Sequence, residues 1–155
     1  MALKQGNKAP DFRLFSTDKK EVCLTDFGGK NLIVHFFPAA FTGTCTTQLC
    51  TLRDGISLYQ NDTTDVLAIS VDSLFSLARY KEEQKLNFIL LSDFNKVTSK
   101  DYGAIYTQWI LGMKGVSKRA AFVIDKNGTI QYAEVLESAG DLPNFKAIDE
   151  VLKTL

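Results

Sequence analysis

An α/β fold, with a mixed central β-sheet flanked by helices on both faces, is predicted by three observations. A strand-like apolar run, a helical stripe and a second apolar run follow one another between residues 32 and 71. Two further strand-like runs flank the turn residues Asp125-Lys126-Asn127-Gly128, and an amphipathic stretch closes the chain.

Each element has a local reason. Leu32-Ile33-Val34-His35-Phe36-Phe37 is an apolar run stopped by Pro38, and Val66-Leu67-Ala68-Ile69-Ser70-Val71 is a second, so both read as buried strands. Between them Cys45, Leu49, Leu52, Ile56 and Tyr59 recur at steps of four and three, which predicts a helix of about four turns with that stripe on the sheet. Strand, helix and strand make a βαβ unit with parallel pairing and a right-handed crossover. A helix is expected over 73–86. Near the C-terminus, 121–124 and 130–135 flank the turn and predict an antiparallel hairpin. Asp141 is expected to cap a last helix with Pro143 in its first turn and Leu142, Phe145, Ile148, Val151, Leu152 and Leu155 on one face. The order β-α-β then β-β-α is the thioredoxin-like arrangement. Residues 96–117 read as an insertion, with a short helix around 97–102 and an apolar stretch over 105–113.

The 155 residues and 17.3 kDa fit one domain, 1–155, able to bury a sizeable core. Eighteen basic against eighteen acidic residues leave no net charge, so nucleic acid and anionic membranes are not expected partners. The N-terminus lacks the apolar run of a signal peptide and no stretch is long enough for a membrane span, which suggests a cytoplasmic protein. Cys23, Cys45 and Cys50 are an odd count, pointing to free or redox-working thiols rather than a disulfide framework. Phe27-Gly28-Gly29-Lys30-Asn31 lacks the spacing of a phosphate loop.

Chemistry concentrates where Pro38 ends the first strand and Cys45 opens the helix. That places Cys45 at the carboxyl edge of the parallel strands, where ligands of such sheets collect. In the first turn of a helix, free amides and the positive end of the macrodipole favour thiolate. Cys23 reads as core packing, and His35 as a satisfied core imidazole that strand alternation groups with Phe37 rather than with Cys45. A zinc site of His35, Cys45 and Cys50 would want a fourth ligand. Phe41 and Trp109 could line a pocket, a subunit contact or simply the core.

The segment Pro38-Ala39-Ala40-Phe41-Thr42-Gly43-Thr44-Cys45 reads Pro-x-x-x-Thr-x-x-Cys, and with it stand Ala9-Pro10-Asp11-Phe12, Leu91-Ser92-Asp93-Phe94 and Arg119 before the later strand. On these residues the chain resembles the peroxiredoxins over essentially its whole length. The run from Phe36 to Cys45 is similar to the AhpE type, which works with one cysteine; Cys50, five positions on, is similar instead to the bacterioferritin-comigratory, or PrxQ, type.

The resemblance implies a thiol-dependent peroxidase without metal, haem or flavin, acting on hydrogen peroxide and small organic hydroperoxides. Cys45 would attack the peroxide and become a sulfenic acid. Arg119 would supply charge and donors, Thr42 its hydroxyl, and Pro38 a wall against bulk water. Cys50 would resolve the oxidised Cys45, or remain inert. Electrons would come from a thioredoxin-like protein or a low-molecular-weight thiol, and a homodimer beside the active site is implied by the AhpE likeness. A peroxide sensor relaying oxidation to a partner is the alternative of another class; a thioredoxin-type disulfide reductase is disfavoured because the chain has no Cys-x-x-Cys.

Thiolate formation alone explains little of such a rate. Lowering a cysteine pKa from ~8.5 to ~6 raises the thiolate fraction near pH 7 about thirtyfold. By analogy with disulfide exchange, nucleophilicity then falls about tenfold, leaving a gain of about threefold. Most of the work must lie in stabilising the charge on the departing oxygen. In an ideal helix, residues five apart have Cα atoms about 8.7 Å apart, beyond the ~7 Å reach of a disulfide. Cys45 and Cys50 therefore require the helix to unwind before they can join.

Overall fold

A computed structural model describes residues 2–155. Seven strands form one mixed sheet in the order β2-β1-β5-β4-β3-β6-β7. Its centre is the expected βαβ unit: β3 (Asn31–Phe36) and β4 (Thr64–Ser70) pair in parallel, with Ile33 opposite Val66 and His35 opposite Ala68. The helix between them comes in two pieces, α1 (Gly43–Asp54) and α2 (Ile56–Tyr59), because Gly55 at φ −108°, ψ 27° interrupts the expected four-turn helix. α3 (Leu74–Gln84) is capped by Ser73, whose Oγ accepts from the Ser76 amide at 3.2 Å. It leads to β5 (Ile89–Ser92), parallel to β4, so a second βαβ unit follows the first. The hairpin is β6 (Ala120–Ile124) with β7 (Ile130–Val135), β6 lying antiparallel to β3.

The stripe predicted to face the sheet does so: Cys45, Leu49, Leu52 and Tyr59 are buried against Ile33, Phe37, Val66 and Ala68, with Ile56 packed beside them. α3 adds Leu77 and Tyr80 to this face, and α5 (Phe145–Leu152) adds Ile148. The opposite face buries Leu32, Val34, Phe36, Leu67 and Phe122 beneath the N-terminal segment and the Tyr102–Ala104 turn after α4 (Val97–Asp101). Alternation along β3 thus sends successive side chains into two different cores.

Three local expectations are corrected. The last helix is capped by Asn144, whose Oδ1 accepts from the Ala147 amide at 3.0 Å, so it starts four residues after Asp141; Pro143 precedes it, and Leu142 and Leu155 lie outside its buried stripe. Over 105–113 the chain forms a loop with a 3-10 turn at Ile110–Gly112, and Leu111 is 91% exposed. The N-terminal hairpin β1 (Arg13–Ser16) and β2 (Glu21–Cys23) pairs antiparallel at the sheet edge. Cys23 ends that edge strand half-buried, outside both cores, rather than packing in one. No helix among the described residues is long and apolar enough to cross a membrane.

Candidate active site

The site is assembled where β3 stops. The Phe37 amide still donates to the Ile69 carbonyl, but Pro38 has no N–H to continue the ladder and the chain turns away from the sheet. The next loop is tied down by Asp72, whose Oδ2 accepts from the Ala40 amide at 2.9 Å and from Ser70 Oγ at 2.7 Å. Phe41 takes a left-handed backbone, φ +66°, uncommon for a bulky residue and suited to swinging the chain into a helix start. Thr42 is the N-cap in extended conformation, and its hydroxyl donates to the Ala39 carbonyl at 2.7 Å instead of capping an amide. The first intrahelical bond runs from the Thr46 amide to the Thr42 carbonyl, which leaves the amides of Gly43, Thr44 and Cys45, at the positive end of α1, without backbone partners among the described residues.

Arg119 arrives from the other side of β3. Because β6 runs antiparallel with Ala120 opposite Phe36, the residue before Ala120 lies at the carboxyl edge of β3, beside the helix start. Its guanidinium is buried and donates through Nη1 to Cys45 Sγ at 3.2 Å and to Gln48 Oε1 at 2.7 Å, and through Nη2 to the Ala139 carbonyl at 2.8 Å. Cys45 is itself 1% exposed. Of the three motif residues, Thr42 is exposed while Pro38 and Cys45 are buried, and Arg119 is the side chain bonded to the sulfur. Next to it, Thr46 Oγ1 and Tyr80 OH lie 2.8 Å apart, and burial pushes the Tyr80 phenol up to about 12.

Sequence reasoning missed Gln48. It is fully buried, three residues after Cys45 and on the same helix face, and its Nε2 lies 2.9 Å from His35 Nδ1. A polar residue inside an apolar stripe was the available signal, since a buried amide must find partners. His35 correspondingly departs from its reading as a satisfied imidazole. Nδ1 is bonded while Nε2, among the described residues, has no partner. Burial pushes the ring down to about 3, so it is neutral.

Cys50 lies in the same unbroken helix as Cys45, and all three cysteines are free thiols. Its half-buried Sγ donates to Gln84 Oε1 at 3.7 Å, on the far side of α1 from Arg119. Of the two aromatics left open by the sequence, Phe41 sits edge-on to Tyr80 at 5.0 Å and Trp109 stacks on Tyr106 at 6.0 Å. No cluster of three or more His, Cys, Asp or Glu able to hold a metal occurs among the described residues. A groove of about 770 Å³ lined by Phe15, Phe75 and Phe94 does not include Cys45, Thr42 or Arg119.

Residues 5–133 match the AhpC/TSA family. The chain is 39% identical to Peroxiredoxin Bcp of Escherichia coli over 132 residues, 84% of each protein. It is 35% identical to the chloroplastic 2-Cys peroxiredoxin BAS1 of Spinacia oleracea, covering 97% of this chain and 57% of that one. Among solved structures it superposes on Peroxidoxin BcpB of Mycobacterium tuberculosis with a TM-score of 0.86 at 24% identity, over 99% of this chain and 98% of that one, a likeness that carries the thioredoxin-like fold. Between the AhpE and PrxQ likenesses, the relatives decide for the second. The chain belongs to the AhpC/TSA family and is a peroxiredoxin of the Bcp type, a thiol-dependent peroxidase.

Proposed function

We propose that Cys45 is the nucleophile of this peroxidase and that Arg119, Thr42 and the free amides of the α1 N-terminus bind and polarise the peroxide. One observation carries the reading: the Arg119 Nη1 contact of 3.2 Å to a buried Cys45 sulfur. The thiolate attacks the terminal peroxide oxygen, the O–O bond breaks, and the departing oxygen leaves with a proton as water or an alcohol while Cys45 becomes a sulfenic acid. Arg119 and the amides take up the negative charge on that oxygen as it develops. Since the Thr42 hydroxyl proton is already given to Ala39, its oxygen is left to accept from the peroxide O–H. Pro38 excludes water from the sulfur, and the closed site suits hydrogen peroxide and small organic hydroperoxides.

Cys50 then resolves the sulfenic acid. Its thiol displaces water from Cys45 to give a disulfide, for which the first turns of α1 must open. A thioredoxin-like protein or a low-molecular-weight thiol returns both cysteines to thiols by exchange. Three free cysteines suit a reducing compartment, the cytoplasm. The groove with exposed Phe15, Phe75 and Phe94 suits a second copy of the chain, and sedimentation would read a homodimer or a monomer.

The test is stopped-flow mixing of reduced wild type, Cys45→Ser and Cys50→Ser with one equivalent of hydrogen peroxide, followed by intact mass. Wild type is expected to lose two hydrogens, Cys50→Ser to gain one oxygen, and Cys45→Ser to stay unchanged. Oxidation of the Cys45→Ser protein at the wild-type rate would overturn the assignment.

A further inference from the structure

We infer that His35 is a positioning residue for the peroxide site, holding Arg119 on Cys45 through the amide of Gln48. The inference rests on the peroxidase reading of Cys45. Its ground is a chain of donors and acceptors whose polarity is fixed at one end. A guanidinium has donors only, so the Gln48 atom 2.7 Å from Arg119 Nη1 must be the amide oxygen. The Gln48 NH₂ then faces His35, and Nδ1 at 2.9 Å must be the unprotonated, accepting nitrogen. The ring proton is left on Nε2, buried beneath Phe145, whose ring is stacked at 5.8 Å, with no hydrogen-bond partner among the described residues.

An apolar side chain of similar shape would fill this strand position without orphaning a donor. What the imidazole adds is the acceptor at Nδ1. Without it the Gln48 NH₂ keeps only the Phe36 carbonyl, 3.5 Å away, and the amide is free to rotate off Arg119. The ring is suited to the task because it stays neutral: burial alone depresses its protonation, with no charged neighbour contributing. An imidazolium would present N–H to N–H and break the chain. Arg119 bonds the Cys45 sulfur directly, and Tyr80 from α3 and Tyr106 from the loop before β6 are ionisable groups that feel its charge.

The test compares His35→Leu, which deletes the acceptor, with His35→Asn, whose side-chain oxygen restores one near the Nδ1 position. His35→Leu is expected to slow oxidation of Cys45 by hydrogen peroxide roughly tenfold, the scale of losing one supporting contact of a preorganised site. It should also move the pH–rate profile upward, while His35→Asn recovers most of both. In a Gln48→Leu background the His35→Leu change should have no further effect, because the link is already cut. A folded His35→Leu protein with the wild-type rate and profile, or additive effects in the double variant, would overturn the inference.

Two readouts separate this from the reading beneath it. His35 is the only histidine, so nitrogen-detected NMR of wild type reports its ring alone. An unprotonated Nδ1 and a protonated Nε2 are expected; the opposite tautomer ends the inference even if His35→Leu does not fold. Ultraviolet titration of the thiolate, taken as the difference from Cys45→Ser, should shift in His35→Leu whether or not peroxide turns out to be the substrate.

Discussion

The two halves of α1 carry the two cysteines of the proposed cycle, and they are held by opposite means. At the N-terminal end Cys45 is buried among Arg119, Gln48 and, one contact further, His35, every bond lying inside the protein. Towards the C-terminal end Cys50 is half-buried, its sulfur meets Gln84 Oε1 at 3.7 Å, and Arg53 Nη1 donates to the Gln84 carbonyl at 2.7 Å. In the proposed cycle the first end is the one preorganised for a transition state, whereas the second is held by partly exposed contacts. On the proposed cycle, the difference separates the half that would do the chemistry from the half that would deliver the second thiol once oxidation has disturbed the first.

Four measurements break or sharpen that contrast. The largest effect is expected of Cys45→Ser, which should abolish peroxide consumption while leaving Cys23 and Cys50 reduced by mass. Arg119→Ala should slow oxidation by about 10²–10³, the cost of removing one donor from a site where charge develops. Cys50→Ser, at the loosely held end, should leave the first oxidation within about twofold of wild type; a sulfenic acid should accumulate in place of the disulfide in mass spectra after peroxide.

The fourth measurement reads stability against pH, away from the peroxide chemistry. His35 in the folded protein protonates only near pH 3, against about 6.5 in an unfolded chain, so below about pH 6.5 the unfolded state takes up a proton that the native state refuses. Stability should therefore fall by about 1.4 kcal/mol per pH unit from that point until the folded ring itself protonates. Urea midpoints at pH 7 and pH 5 would show a shallower acid loss in His35→Asn than in wild type.

Much of this was legible in the residues. The Pro38, Thr42, Cys45 spacing and Arg119 name the residues of the proposed site, of which the fold brings Arg119 onto Cys45, and the βαβ unit with its later hairpin specifies four of the seven strands. The edge hairpin was not legible because Arg13–Ser16 and Glu21–Cys23 are short and half-exposed, so no apolar alternation marks them. β5 was overlooked because it is only four residues long, too few for periodicity to speak. The end of α1 at Gly55 and the Asn144 cap depend on backbone angles and a single hydrogen bond, which composition does not reveal. Gln48 went unread and His35 was read as a satisfied core imidazole for a different reason: only the fold brings the amide between the imidazole and the guanidinium.

The central claim is that Arg119 acts on the departing oxygen and not merely on the ionisation of Cys45. Stopped-flow rate constants for hydrogen peroxide should be compared between wild type and Arg119→Ala, each at the pH where its measured thiolate fraction is the same. A remaining gap of about a hundredfold is the expected result. Superimposable rate constants would mean that the guanidinium does no more than ionise the thiol, and would contradict the account.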